Sequence, residues 1–208
     1  MFNKKILLFL GSSACILFIV FSYFVHTNSF THFDFTITVR LQDTISRSFD
    51  GPFSFLSLVG DAETMSAVLV VLLLINRKVR SFFAAFFFFG FFHFIEIYGK
   101  TFVHHSPPPH FMLRTQTLVN FPQFYVNVQN SYPSGHAGRA LFLTALFFVL
   151  IWNSKSSHIQ KIFILCLLLM FDITMMISRV YLGEHWVSDV VGGAILGFSF
   201  GILSAIFL

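Results

Sequence analysis

Three short stretches of this chain carry the side chains whose types and spacing could do chemistry. The first, Ser131-Tyr132-Pro133-Ser134-Gly135-His136, stands just before a long apolar run and reads as a helix start. Ser134 is a natural N-cap there, and the free N–H groups of the first turn, with the helix dipole, make an anion site. Gly135 lets a ligand approach the backbone closely. His136 beside that site can give or accept a proton at neutral pH, or can be an ordinary interfacial histidine. The second stretch runs from Ser178 to Asp189 and holds Arg179, His185 and Asp189. His185 and Asp189 are four apart, so a carboxylate lies on the imidazole's face of a helix. Such a carboxylate fixes the tautomer and makes the other ring nitrogen a better nucleophile; the same pair could instead be a structural helix cap. Arg179 offers a planar donor fork suited to phosphate. The third piece is Lys100, either a phosphate ligand or a lysine snorkelling at a span end. Two imidazoles, a carboxylate, a lysine, an arginine and a helix amino terminus converging on one spot describe a phosphoryl-transfer site.

The elements that must position them are membrane helices. Of 208 residues, 56% are hydrophobic and only 11% charged, with 32 phenylalanines and a mean hydropathy of +0.79. A soluble domain carries about a quarter charged residues, so much of this surface must face lipid. The net charge of +4 comes with no basic run on a polar segment, which excludes a nucleic-acid binder. Cys15 and Cys166 lie inside apolar runs and read as buried small hydrophobes. The spacing predicts an all-α polytopic protein of six spans: 6–25, 63–75 with apolar help from 53–59, 82–98, 137–152, 159–177 and 190–208. The first resembles a signal peptide at Lys4 and Lys5, but its apolar run is too long and no small-residue cleavage site follows, so it is read as an uncleaved span. The same continuation past Cys15 argues against a lipoprotein anchor.

Charge sets the expected orientation. With the amino terminus inside, the cytoplasmic ends carry Lys4, Lys5, Arg77, Lys78, Arg80, Lys155 and Lys161 and no acidic residue. The outer side then holds Arg40, Arg47, Lys100, Arg114, Arg139, Arg179 and the acidic residues, with the three chemical stretches among them. In the first outer connection Phe33, Ile37, Leu41, Ile45 and Phe49 recur every four residues, predicting an amphipathic helix at the interface that Gly51 and Pro52 terminate. It either packs on the bundle or helps admit substrate. No internal repeat divides the chain, so residues 1–208 are read as one domain.

The sequence resembles the type 2 phosphatidic acid phosphatases, membrane relatives of vanadium haloperoxidases and bacterial acid phosphatases. Their three motifs are K-x6-R-P, P-S-G-H and S-R-x5-H-x3-D. The second is complete at 133–136, and the third at Ser178, Arg179, His185 and Asp189. The first departs: Lys100 is present, but Pro107 stands where the family has arginine. The resemblance implies His185 as the nucleophile forming a phosphohistidine, Asp189 orienting it, and His136 protonating the leaving oxygen and then activating water. Lys100, Ser134, Arg179 and the Gly135 N–H would hold the equatorial oxygens, with no cofactor and no metal required. Arg139, three residues after His136 on the same helix face, is the candidate to replace the missing arginine, with Arg114 as competitor. Arg139 could instead snorkel, or pair with Glu96 or Asp172. His104, His105 and His110 could bind a transition metal, but their proline-stiffened loop splays the side chains apart and argues against it. Glu96 and Lys100 should pair at four-residue spacing, and Asp172, two turns from Arg179 on the same face, should make a structural ion pair or a hydrogen-bond anchor, with a proton path as the alternative. Gly193, Gly197 and Gly201 mark close helix packing. The expected activity is hydrolysis of a lipid phosphate monoester or pyrophosphate at the outer face of a cytoplasmic membrane. Substrates the family implies are undecaprenyl pyrophosphate, phosphatidylglycerophosphate, phosphatidic acid and phosphorylated lipid A. The alternatives are a lipid phosphotransferase and a non-catalytic lipid-phosphate binder or carrier.

Overall fold

The protein was analysed as a computed structural model, which describes residues 3–76, 79–117 and 130–208. Arg77 and Lys78, part of the charge argument above, lie outside the described residues. The described chain is helical: α1 (Lys4–His26), α2 (Thr31–Thr44), α3 (Asp50–Gly60), α4 (Ala62–Asn76), α5 (Val79–Phe102), α6 (Gly135–Asn153), α7 (His158–Tyr181) and α8 (Val187–Ala205). Among the described residues five helices are long and apolar enough to cross a membrane, and the pair from Arg47 to Ile75, bent by 53°, meets the same length and composition when taken together, as a broken span or a re-entrant loop. Local chemistry accounts for the ends. Asn3 caps α1 by accepting from the Lys5 N–H at 2.9 Å, and Ser157 and Gln160 close a reciprocal capping box on α7.

Helices α6 and α8 form the buried centre, and small residues explain why. A side chain at Gly197 would run into the Gly138 carbonyl, one at Gly193 into that of Ser134, and one at Gly201 into that of Phe142. The two backbones therefore meet directly, as the glycine spacing required. Around them α1, α5 and α7 turn long apolar side chains outward, among them Phe9, Ile16, Phe83, Phe87, Ile162 and Phe163. In water such a surface would drive aggregation; in a bilayer it costs nothing.

Three sequence expectations change in detail. The α-helix predicted to run to Phe49 ends at Thr44, Arg47–Phe49 form a 3-10 turn, and Gly51-Pro52 stands in the first turn of a new helix, α3. Proline suits a first turn, where its missing N–H would have no partner. Helix α2 buries Asp34 and Thr38 while Phe33 and Phe35 stay exposed, and Leu41 packs against Ala137, Val180 and Val190, so its inward face mixes polar and apolar groups. Asp34 accepts from both the N–H and the hydroxyl of Ser188, at 2.8 and 2.6 Å, and so ties α2 to the start of α8. Finally, Asp172 does not meet Arg179; it accepts from the Thr144 hydroxyl at 3.1 Å. Arg179 is drawn instead to a carboxylate five residues away on its own chain, Glu184.

Candidate active site

The ends of α5 and α7, the starts of α6 and α8, and the bend between α3 and α4 meet at one end of the bundle. The crossing is pinned by the Ser134 N–H, which donates to the Asp189 carbonyl at 2.9 Å. This places the two sequence motifs side by side although about forty residues separate them.

Ser134 occupies the N-cap of α6, but its hydroxyl makes no cap bond; it is fully buried and has no partner. A buried hydroxyl left unpaired costs about 1–3 kcal/mol, so the position wants an acceptor from outside. Immediately after it, a Cβ on Gly135 would collide with the Glu96 carboxylate and lie 2.7 Å from an Arg139 guanidinium nitrogen. Glu96 collects the neighbouring cations. Lys100 donates to it at 2.8 Å, Arg139 at 3.3 Å and the His93 Nδ1–H at 3.1 Å. The expected four-residue pair is present, and it belongs to a larger network. Arg139 also donates from Nε to the Gly60 carbonyl at 3.0 Å.

His136 faces the α3–α4 bend. Its Nε2 lies 3.1 Å from Asp61 Oδ1 and 3.4 Å from the Ser57 hydroxyl. Because a carboxylate can only accept, the proton belongs on Nε2. Arg179, wholly buried, donates to the Ser57 hydroxyl, to Glu184 at 2.6 Å, to the Phe53 carbonyl at 3.1 Å and to the Ser178 hydroxyl at 3.2 Å. Glu184 lies in the loop before α8. Burial pushes its carboxyl up, but the charges of Arg179 and His136, a hydrogen bond from Thr115 and the charge of His185 outweigh that and hold it below the ordinary value.

His185 and Asp189 come within 3.4 Å, Nδ1 to Oδ2, but not in hydrogen-bond alignment, and His185 Nδ1 is buried without a bond. Asp189 Oδ2 accepts instead from the Trp186 N–H at 2.9 Å, which caps α8, and Oδ1 from His105 Nδ1–H at 2.7 Å. His105 also has Nε2 3.6 Å from Asp34. Burial pulls its pKa down, yet the hydrogen bond to Asp189 and the negative charges of Asp189 and Asp34 raise it to about 9.

The structure thus brings Ser134, Gly135, His136, Arg139, Arg179, His185, Asp189 and Lys100 to one end of the bundle. Lys100 and Arg139 are held by Glu96, and Arg179 by Glu184. Arg114 has its guanidinium stacked 5.0 Å over the Tyr181 ring, with Nη1 buried and making no bond. Among the described residues no set of three His, Cys, Asp or Glu side chains could hold a metal. The three loop histidines diverge: His104 lies against the His26 ring, His105 against Asp189, and His110 is exposed. Sequence reasoning missed Asp61, Ser57, Asp34 and the part played by His105. Only Asp61 had a usable signal, an acid beside a glycine at a break in an apolar run.

A search of curated protein sequences finds no match. Among solved structures the fold is similar to "the first transmembrane PAP2 type phosphatidylglycerolphosphate phosphatase from Bacillus subtilis" (TM-score 0.74, 21% identity, 93% of each chain covered). It is also similar to LpxE of Aquifex aeolicus (TM-score 0.62, 20% identity, 83% of this chain and 94% of that one). The family model of the PAP2 superfamily matches residues 78–208, a stretch that takes in Lys100 and both complete motifs, and the chain therefore belongs to the PAP2 superfamily.

Proposed function

We propose that the protein hydrolyses a phosphate monoester or pyrophosphate of a lipid, through a phosphohistidine on His185, at the extracytoplasmic face of a cytoplasmic membrane. The observation that carries this reading is the buried, unpartnered Ser134 hydroxyl at the N-terminus of α6, with His136, His185 and Arg179 gathered at the same end of a lipid-facing bundle. Family membership and the likeness in fold to a phosphatidylglycerolphosphate phosphatase support it. In the scheme, His185 Nε2 forms a bond to phosphorus as the bond to the lipid oxygen breaks, and His136 supplies a proton to that oxygen. Water then attacks phosphorus, passing a proton back to His136, and the N–P bond breaks to release inorganic phosphate. Arg179, Arg139, Lys100 and the α6 N-terminus neutralise the equatorial oxygens, the task a metal would otherwise perform. The substrate's phosphate would displace the Glu96 and Glu184 carboxylates that now hold those cations.

The test is release of inorganic phosphate from phosphatidylglycerophosphate, phosphatidic acid, undecaprenyl pyrophosphate and phosphorylated lipid A by purified protein, wild type beside His185→Ala. Turnover by the wild type alone, surviving chelator and inhibited by vanadate, is expected. Equal turnover by His185→Ala would overturn the phosphohistidine, and loss in chelator restored by a divalent cation would overturn metal independence. One observation favours a second reading, a lipid-phosphate binder without turnover: His185 Nδ1 is off-line from Asp189. Binding of these lipids with no phosphate released would establish it.

A further inference from the structure

We propose that His105 is a positioning residue for this reaction: its imidazole fixes the Asp189 carboxylate so that Oδ2 is left facing His185. The inference rests on His185 being the nucleophile. A carboxylate's last torsion is soft, and an aspartate whose two oxygens were equally free would present either one, or neither, to the histidine. Asp189 is fully buried, and its Oδ1 takes the short bond from His105 at 2.7 Å. That leaves Oδ2 for the Trp186 N–H at 2.9 Å and for the approach to His185 at 3.4 Å.

His105 is itself held from every side. Its N–H donates to Asn130 Oδ1 at 3.1 Å, and its carbonyl accepts from the N–H and hydroxyl of Ser131 at 3.0 and 3.2 Å. Its Nε2 faces Asp34, which is locked on Ser188. A continuous line Asp34, His105, Asp189, His185 therefore runs from α2 into the site. Anchoring α2 to α8 needs only Asp34 and Ser188, whose bonds are complete without the imidazole. What the imidazole adds is a donor to Asp189 at Nδ1, with Nε2 turned toward the Asp34 carboxylate at 3.6 Å. With a carboxylate on both sides it keeps its protons and so cannot take one from His185, which leaves Asp189 ionised and oriented.

The test uses the full chain in detergent with three variants. His105→Ala removes the donor, His105→Leu removes it while filling the space, and His105→Asn places an amide N–H where Nδ1 stood. Phosphate release is measured on the best substrate of the panel, and the tautomer of His185 is read by ¹⁵N NMR of histidine-labelled protein, assigned with His185→Gln. We expect His105→Ala and His105→Leu to lose about tenfold or more in kcat with KM within about twofold, and His105→Asn to recover most of it. His185 should be a single Nδ1–H tautomer in the wild type and in His105→Asn, and a mixture in His105→Leu. Unchanged kcat and an unchanged tautomer in His105→Leu would overturn the proposal, as would a loss that His105→Asn does not recover. Should the wild type release no phosphate, the nucleophile reading falls, and the tautomer comparison still decides whether His105 orients the pair.

Discussion

Glu96 sits over Gly135 with Lys100 and Arg139 both on its carboxylate, so the cation proposed to replace the motif arginine is already beside the start of α6. Arg114, its sequence competitor, lies over the Tyr181 ring, and its backbone N–H is bound to the Leu182 carbonyl at 2.9 Å. We therefore expect Arg139→Ala to lower kcat/KM by about 30- to 1000-fold, on the order of 2 to 4 kcal/mol, and Arg114→Ala to stay within about threefold. Steady-state kinetics on folded, equally expressed variants check this; an Arg139→Ala enzyme within threefold of wild type would remove Arg139 from the ligand set. A second residue-scale expectation concerns pH. His105 is raised from 6.5 to about 9 by Asp189 and Asp34, with His185 beyond Asp189 and His32 across the adjoining cavity. A raised histidine contributes stability that is complete below its unfolded value and is lost as pH climbs through the folded one. Thermal unfolding in detergent should show the wild type losing Tm between about pH 7 and 10 more steeply than His105→Asn. Parallel curves would contradict the assignment.

At the scale of elements, direct backbone contact between α6 and α8 is what brings Ser134 to Asp189. It depends on glycine at specific turns. A methyl group at Gly197 would overlap the Gly138 carbonyl, whereas at Gly90 on the lipid side of α5 it would meet nothing within 4 Å. Gly197→Ala should therefore cost on the order of 3 kcal/mol and lower activity with stability, as α8 is pushed off α6. Gly90→Ala should be neutral or stabilising by roughly 0.5–1 kcal/mol, because alanine is the better helix former. Urea or thermal unfolding of the two variants side by side is the check. A Gly197→Ala protein as stable as wild type would mean the helices can separate without cost. The bent α3–α4 span has the complementary role, since its break turns Ser57 and Asp61 toward His136 and the Gly60 carbonyl toward Arg139.

For the whole molecule, the alternation of helices places Ser106 at the site end and Ser156 at the opposite end, both exposed. Single cysteines at these positions, in a background with Cys15 and Cys166 replaced by serine, should label oppositely with an impermeant thiol reagent on intact cells. Ser106→Cys should react and Ser156→Cys should not. The reverse pattern would invert the protein and put the site in the cytoplasm, against the bias set by Lys4, Lys5, Lys155 and Lys161.

The spans, the helix that precedes α3 and the two complete motifs were all legible from composition and spacing, because each depends on forces that act along the chain. Apolar length decides what crosses a bilayer, and four-residue spacing puts Glu96 beside Lys100 whatever surrounds them. The tertiary structure alone decided which charges meet. Asp172 looked like the partner of Arg179, yet packing turned it to Thr144, and Glu184 took the arginine. His105 stood in a proline-rich loop with the look of a failed metal ligand, and closure of that loop onto α8 gave it to Asp189. Asp34 fell between the apolar positions of a stripe that seemed built for an interface, and docking buried it against Ser188 at the start of α8. In a low-dielectric interior a charge must find a partner, and which one it finds depends on distances between helices far apart in sequence, which no local pattern encodes.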